Sequence, residues 1–118
     1  MAVTLTMATD ADIDPMLGAN INAAFDDTMQ DSIGAMAEAN ICALMRYDAV
    51  TNWATLDTNT KAVCTEYVAR FIAIQGIAYD MSPFSSNIEA EDMIVVHFYR
   101  LKLLELLLSD QKLVTYLK

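Results

Sequence analysis

The sequence predicts an all-α protein, a small bundle of about four helices with a long C-terminal helix and extended N- and C-terminal arms. Apolar residues recur every three or four positions over several long stretches, as they do on the buried face of a helix. The 118 residues include 3 glycines and 2 prolines, which leaves little room for the turns of a sheet. With 55% hydrophobic residues, a chain of this length fills a single core, so we expect one domain over residues 1–118.

The first 14 residues predict an extended arm. Apolar residues alternate with threonine over 3–7, a pattern typical of extended chain rather than helix. Such an arm is not stable by itself, so it must lie either on its own body or on a neighbour. Asp14 before Pro15 then indicates a helix start, and we expect a short first helix from about Pro15 to Phe25.

Two longer helices follow. Apolar residues spaced three to five apart predict an amphipathic helix over roughly 27–47, with most of its acidic residues away from the apolar face. A third helix is predicted from about 58 to 79, with Asp57 or Thr58 as its cap. This third helix is apolar around most of its circumference, which indicates packing on more than one side.

The last helix is predicted to be the longest. Ser86 and Glu89 have the spacing of a capping box, and the helix is expected to run to Asp110 or beyond. At about 1.5 Å per residue, roughly 24 residues span about 36 Å, so we expect part of this helix to reach outside its own subunit. It completes a helical body over 15–112, and residues 113–118 form a C-terminal tail.

The third and last helices are each apolar on two faces, which is more apolar surface than a body of this size can hide. Hydrophobic faces that remain after folding are normally subunit interfaces. Together with the apolar arm and tail, this surplus indicates a subunit of an assembly that reaches onto its neighbours.

The charge balance excludes several classes of partner. Sixteen acids against 7 bases give a net charge of −9, which repels nucleic acid phosphate and anionic lipid. Residues 1–60 hold nine acids and one base, so the first half of the chain carries most of this charge. The N-terminus lacks the pattern of a secretory signal and no segment is apolar enough to span a membrane, so we expect a soluble protein.

Asp10, Asp12 and Asp14 have the alternate spacing of a calcium-binding loop. That loop also needs glycine at its sixth position and glutamate at its twelfth, where this chain has Pro15 and Ile21. We therefore interpret the three aspartates as a solvated acidic segment that caps a helix, and we predict no metal site.

The sequence has no pattern typical of a catalytic site. His97, the single histidine, has no nucleophile or orienting group at helical spacing, so we expect a partly buried structural side chain. Cys42 and Cys64 lie on apolar helices and are expected to be reduced core thiols, with a disulfide between neighbouring helices as the alternative. There is no glycine-rich phosphate loop and no nucleophile-elbow motif. We predict neither enzymatic activity nor a cofactor.

Four segments together carry a family resemblance. They are the end of an amphipathic helix, a tryptophan-bearing connection, the end of an apolar helix and the start of a capped helix. In order, they read Arg46-Tyr47-Asp48, Asn52-Trp53, Tyr79-Asp80-Met81-Ser82 and Asn87-Ile88-Glu89-Ala90-Glu91-Asp92-Met93-Ile94. Over about residues 25–118 the chain resembles the small head-to-tail connector proteins of tailed bacteriophages, also called adaptor or head-completion proteins.

The resemblance implies a helical bundle that forms a homo-oligomeric ring, usually twelvefold, beneath the portal in the capsid wall. Its extended termini would dock on the portal protein, and its far face would receive the tail or a stopper or terminator protein. It also implies a place in the neck of the virion after assembly in the host cytoplasm, with DNA as passing cargo and no membrane partner.

Two sets of residues are assigned on this basis. A negatively charged lumen would let DNA slide without sticking, so we expect Asp26, Asp27 and Asp31 to line the channel. The expected interface residues lie in the arm, at the connections and on or after the last helix, and each is also a candidate for core packing. They are Val3, Leu5, Trp53, Phe84, Tyr99, Tyr116 and Leu117.

Two other classes of protein fit the same sequence. Within virus particles, a different neck or tail subunit such as a tail terminator would have a similar composition. Outside them, a soluble helical binding or regulatory module would place an amphipathic helix in the groove of its partner. A small enzyme is disfavoured because a base, a nucleophile and metal-ligand spacing are all missing.

Overall fold

Four helices form the part of the protein that the structure describes. The computed structural model describes residues 3–18, 24–79 and 87–109, and within these ranges it confirms a small all-helical bundle without strands. The helices are α1 (Asp10–Leu17), α2 (Asp27–Met45), α3 (Thr58–Tyr79) and α4 (Asn87–Ser109), with a single 3₁₀ turn at Trp53–Thr55.

Helix α3 is the centre of the bundle, and it packs against α1, α2 and α4. Its bounds are those predicted from the apolar period, and the carboxylate of Asp57 accepts a hydrogen bond from the Thr60 amide at 2.7 Å to cap its first turn. Tyr67, Val68 and Ile72 are each 0% exposed. The predicted packing of α3 on more than one side is therefore confirmed. Most of its apolar surface is covered within the chain, and a subunit interface on α3 stays a prediction.

Helix α1 begins at Asp10, so the predicted start at Pro15 and the predicted end at Phe25 are both wrong. Thr9 precedes the helix, and the Asp12 carboxylate accepts hydrogen bonds from its amide at 2.9 Å and its hydroxyl at 3.0 Å. This capping interaction lies one turn earlier than the one expected at Asp14, and it places Pro15 inside the helix. The arm is consequently shorter than 14 residues.

Glycine ends α1 for a conformational reason. Gly18 has φ 82°, a left-handed backbone that residues with a Cβ rarely adopt, and its amide donates to the Asp14 carbonyl at 3.0 Å. Phe25 is 3% exposed and lies just before Asp26, which caps α2 by accepting from the Met29 amide at 3.1 Å. Helix α2 therefore begins where the sequence predicts and ends two residues earlier, at Met45.

Helix α4 is held against the body over its whole described length. Its buried residues recur at helical spacing on one side, and the last of them lies one residue before the end of the helix. These residues are Ala90, His97, Leu101, Leu104 and Leu108. The expectation that part of this helix projects beyond its own subunit is therefore wrong for Asn87–Ser109. The capping residue Ser86 and the predicted continuation at Asp110 lie outside the described residues.

The N-terminal arm lies on the protein's own body. Val3 and Leu5 are half-buried and pack against the main core, while Met7 and Ala8 are each 2% exposed. The sequence left open whether the arm lies on its own body or on a neighbour, and the structure places it on its own body. The core thus draws on residues from Met7 to Leu108, and the predicted tail 113–118 lies outside the described residues.

We expect Gly76→Ala to lower the free energy of unfolding. A Cβ at this position would come within 2.6 Å of Leu17 Cδ2 and 2.7 Å of Phe25 Cε2, where α3 passes close to α1. The gain of about 1 kcal/mol in helix propensity is outweighed by overpacking that costs about 1 to 3 kcal/mol, so a net loss of about 1 kcal/mol is expected. Urea denaturation checks this, with the exposed Gln75→Ala as control. A more stable Gly76→Ala protein would contradict the close packing.

Candidate functional site

Helix α4 presents large apolar side chains to the solvent on the side opposite its buried face. Six of them are between 45% and 69% exposed, and four recur at spacings of four, four and three residues. This set, the α4 outer face, consists of Val95, Val96, Phe98, Tyr99, Leu103 and Leu106. The helix is thus apolar both toward the core and away from it.

The α4 outer face is large for a protein of this size. Its six side chains expose an area on the order of 600 Å², the upper end of the largest apolar patch on a typical monomer. Tyr99, the most exposed at 69%, supplies a broad ring with a polar tip, a combination enriched at protein interfaces. An area of this kind is typical of a surface that another protein covers.

Charged residues lie within the face and at its margin. Lys102 stands among the apolar side chains, with Nζ 5.1 Å from the centre of the Phe98 ring and 3.1 Å from Glu105 Oε1. Glu91 and Asp92 are exposed near the beginning of the helix. The face is therefore mainly apolar with one lysine inside it.

A carboxylate on α3 fixes how α4 is rotated. Glu66 accepts two hydrogen bonds from Arg100, at 2.7 Å from Nε and 3.1 Å from a terminal nitrogen, and one from Arg70 Nε at 2.7 Å. The hydrogen bond from Arg100, with a further one from Arg70, holds the pKa of Glu66 below its usual range despite partial burial. The two-pronged contact with Arg100 sets the rotation of α4 because it is directional.

His97 joins three helices beneath the α4 outer face. Its side chain is 8% exposed, its Nδ1 accepts from an Arg70 guanidinium nitrogen at 3.0 Å, and its Nε2 donates to the Met16 carbonyl at 2.9 Å. Burial lowers the pKa of His97 and the Arg70 charge lowers it further, while the Met16 carbonyl opposes the shift. The ring is therefore neutral near pH 7, and the prediction of a structural histidine is confirmed.

A second contact fixes the C-terminal half of α4. The hydroxyl of Tyr67, a fully buried residue of α3, donates to Glu105 Oε2 at 3.0 Å. Burial, with the negative charge of Glu105, raises the pKa of Tyr67 to about 12, so this hydroxyl keeps its proton. Two sets of contacts therefore hold α4. One lies near the middle of α4, where His97 and the partner of Glu66 are, and the other lies further along, where Tyr67 donates to Glu105.

The described residues contain no grouping typical of a metal or catalytic centre. No cluster of three or more histidine, cysteine or acidic side chains that could hold a metal ion occurs among them. Burial raises the pKa of the Cys64 thiol to about 12, which makes it a poor nucleophile, and both Cys64 and the half-buried Cys42 are free. Among the same residues, no helix has the length and apolar character needed to cross a bilayer.

The structure distributes the predicted interface residues unevenly. Tyr99 lies at the centre of the α4 outer face. Val3, Leu5 and Trp53 pack against the protein's own core, and Lys61 Nζ lies 5.9 Å from the centre of the Trp53 ring. The remaining three fall outside the described residues, namely Phe84, Tyr116 and Leu117.

Most members of the α4 outer face were missed by the residue-level prediction. The sequence shows that the last helix is apolar on two sides, but five members of the face were not named, namely Val95, Val96, Phe98, Leu103 and Leu106. That pattern indicates an uncovered face without showing which of the two sides is inward. The inward side is chosen by His97 and Arg100, whose partners lie far away in the sequence.

The predicted channel carboxylates have roles within the monomer. Asp26 caps α2, and Asp31 accepts hydrogen bonds from the Thr4 amide at 2.7 Å and the Thr4 hydroxyl at 3.1 Å. Asp27 lies in the first turn of α2, where a negative charge suits the helix dipole. These contacts lie within one chain, and the channel role of the three aspartates stays a prediction.

Comparisons of the chain with protein-family models, with curated proteins and with solved structures give no match. The α4 outer face and the contacts beneath it are therefore the structural features from which a function is inferred. They describe a rigid helix, fixed in rotation, with an uncovered apolar side.

The free energy of unfolding is expected to fall as the pH is lowered from 7 to 5. The pKa of His97 is lowered in the folded protein and ordinary in the unfolded chain, so the unfolded chain binds more protons in this window. Protonation also removes the acceptor at Nδ1 that Arg70 uses. Urea denaturation of the wild type and of His97→Gln at pH 7, 6 and 5 measures the effect.

The His97→Gln protein is expected to be less stable at pH 7 but to lose less stability on acidification. Glu66, whose pKa is already below its usual range, remains charged above pH 5 in both proteins and does not obscure the comparison. Equal pH dependence in the two proteins would show that another group is responsible.

Proposed function

We propose that this protein is a structural assembly subunit that binds neighbouring proteins through the α4 outer face. The observation that supports this proposal is that α4 exposes six large apolar side chains while its other side is packed against the body. Burying surface of this size at about 25 cal/mol per Å² provides a strong driving force for association, although part of it is offset by the entropy lost on binding. Within the described residues, this surface is apolar in the way that surfaces covered by another protein are.

More specifically, we propose a head-to-tail adaptor in the neck of a tailed bacteriophage. In this proposal, copies of the chain form a ring, twelvefold as in the connector proteins it resembles, between the portal protein and the tail or a stopper or terminator protein. It assembles in the host cytoplasm and becomes part of the virion. The resemblance over residues 25–118 supports this assignment, and a small helical bundle with an uncovered helix face is compatible with it.

The acidic character of the chain supports a role around passing DNA. A net charge of −9, concentrated in residues 1–60, repels phosphate and would keep DNA from adhering to the wall of a ring. We place the first half, including Asp26, Asp27 and Asp31, toward the lumen. In the same arrangement the α4 outer face, with Tyr99 at its centre, contacts a neighbouring protein.

Two alternative functions use the same surface. Another neck or tail subunit, such as a tail terminator, would also cover an apolar helix face with a neighbouring protein. A soluble regulatory module is the second alternative, because Val95, Tyr99 and Leu103 have the i, i+4, i+8 spacing of a helix that binds in a hydrophobic groove. These alternatives differ from the connector proposal in the partner and in the symmetry of the complex.

Replacing Tyr99 and Leu103 together by aspartate is expected to weaken partner binding by at least about 30-fold, the loss typical of a central interface residue. Both side chains point to solvent in the monomer, so the fold and its circular dichroism spectrum are expected to remain unchanged. Met36→Asp is the matched control, since Met36 is 61% exposed but lies on α2. The measurement is binding to the portal protein encoded nearest to this chain, followed by electron microscopy of the complex.

The outcomes separate the surface from the identity of the partner. A symmetric ring of this chain on the portal, lost in the double variant and kept in Met36→Asp, supports the connector proposal. A ring that tolerates the double variant would place the interface elsewhere. A wild-type chain that does not bind the portal protein but binds another protein through Tyr99 would favour the regulatory module.

A further inference from the structure

A groove on α2 and α3 holds the N-terminal segment 3–9 by its main chain. We call this groove the α2 seat and define it by Asp31, Gly34 and Glu38 of α2 together with Thr65 of α3. The Thr4 amide donates to Asp31 at 2.7 Å, and the Met7 amide donates to Glu38 at 2.7 Å. The Thr65 hydroxyl donates to the Met7 carbonyl at 2.6 Å.

The spacing of these contacts suits an extended peptide on a helix. Asp31 and Glu38 are seven residues apart, which is about 10.5 Å along a helix. Thr4 and Met7 are three residues apart, which is about 10 Å in extended chain. The two carboxylates therefore meet two amides of the segment, whose chain bends at Thr6 and Met7. These two contacts recognise the main chain of the segment rather than particular side chains.

Gly34 provides the space for an apolar side chain between the two carboxylates. A Cβ at this position would come within 2.8 Å of Leu5 Cδ2 and 3.1 Å of Leu5 Cγ, so Leu5 lies directly over the glycine. Met7 follows as a fully enclosed side chain at 2% exposure. The α2 seat thus has room for the apolar side chains at positions 5 and 7 of the segment.

Glu38 in the α2 seat needs a hydrogen-bond donor. Glu38 is 8% exposed, and a carboxylate at that depth is costly unless hydrogen-bond donors meet it. The Met7 amide is such a donor, at charge-assisted distance. If the segment left, Glu38 would lose this bond while it remained in the groove. An incoming segment of the same kind would restore it.

We infer that the α2 seat is a binding site for an extended uncharged peptide segment, and that in the assembled protein its occupant is segment 3–9 of a second copy of this chain. This inference rests on the proposed assembly function. The seat contacts come from α2 and α3, whereas the segment is joined covalently to α1 through Thr9, so the same contacts form within one chain or between two.

The energetic cost of such an exchange is small. Each seat contact described above that is lost when the segment leaves its own chain is restored by the segment of the second copy. The hydrogen bond from the Val3 amide to Asp10, at 3.3 Å, joins the segment to α1 of the same chain and is long. Copies held side by side through another surface have effective concentrations in the millimolar range, which favours exchange further. The segment brings no charge of its own toward a chain of net charge −9.

Cysteine pairs in the full-length chain test the inference. The Thr4 hydroxyl lies 3.1 Å from Asp31 Oδ2, so the two side chains are in contact and positions 4 and 31 are the pair chosen for replacement by cysteine. One preparation carries Thr4→Cys and a second, distinguished by a tag, carries Asp31→Cys, both with Cys42→Ser. When the two preparations are mixed, assembled and oxidised, a disulfide between positions 4 and 31 can form only between different chains.

The expected result is a mixed covalent dimer that forms at least ten times faster than either homodimer. Adding Gly34→Val to the Asp31→Cys chain is expected to suppress it by filling the space over which Leu5 lies, whereas Ala35→Val at the exposed neighbouring position is not. The chain with both Thr4→Cys and Asp31→Cys should give linked multimers on a denaturing gel.

The inference is overturned if the doubly substituted chain cross-links only within itself. When light scattering shows that the same sample is oligomeric, that outcome refutes exchange and leaves the proposed assembly function standing. When the sample is monomeric, the oxidation is repeated on its complex with the portal protein, and cross-links only within single chains in that complex refute exchange. A chain that neither self-associates nor binds the portal overturns the proposed function and this inference with it.

Discussion

Helix α4 carries apolar residues around its whole circumference, so its rotation about its own axis is the constraint on which the rest of the structure depends. Hydrophobic burial alone does not choose between its two sides. The choice is made by directional polar contacts, one set from a buried side chain and one from an exposed side chain. His97 contacts Met16 and Arg70, and Arg100 contacts Glu66, in the observed rotation. Turning the helix would remove all of these contacts.

This rotation explains why one face of α4 is left uncovered within the chain. Helices α3 and α4 are both apolar on more than one side, but α3 is enclosed by three helices, whereas α4 packs on α2 and α3 from one side. The polar contacts therefore place Tyr99 and its neighbours in solvent. A helix apolar all round is ordinarily found inside a larger body. We propose that the larger body in this protein is an assembly with neighbouring proteins.

The many carboxylates have local roles beyond their contribution to the net charge. Asp12, Asp26 and Asp57 stabilise helix starts, and Asp31 and Glu38 bind amides of the N-terminal segment. The same residues therefore organise the fold and contribute to the net charge of −9, which in the ring that we propose would repel DNA. An acidic composition is compatible with both roles, and neither excludes the other.

The sequence by itself determined the helical class, the bounds of α3 and the start of α2, because the apolar period and the caps at Asp26 and Asp57 act within about four residues of chain. It did not determine where α1 begins, because Thr9 and Asp14 offer two competing local starts, and the observed one lets Ile13 and Leu17 pack in the core.

The tertiary structure decided which side of α4 faces inward and where the N-terminal segment lies. The contact between Arg100 and Glu66 joins residues 34 positions apart, and that between Met7 and Glu38 joins residues 31 apart. A periodic pattern shows that a helix has two apolar sides, but it does not contain the distant partner that selects one of them.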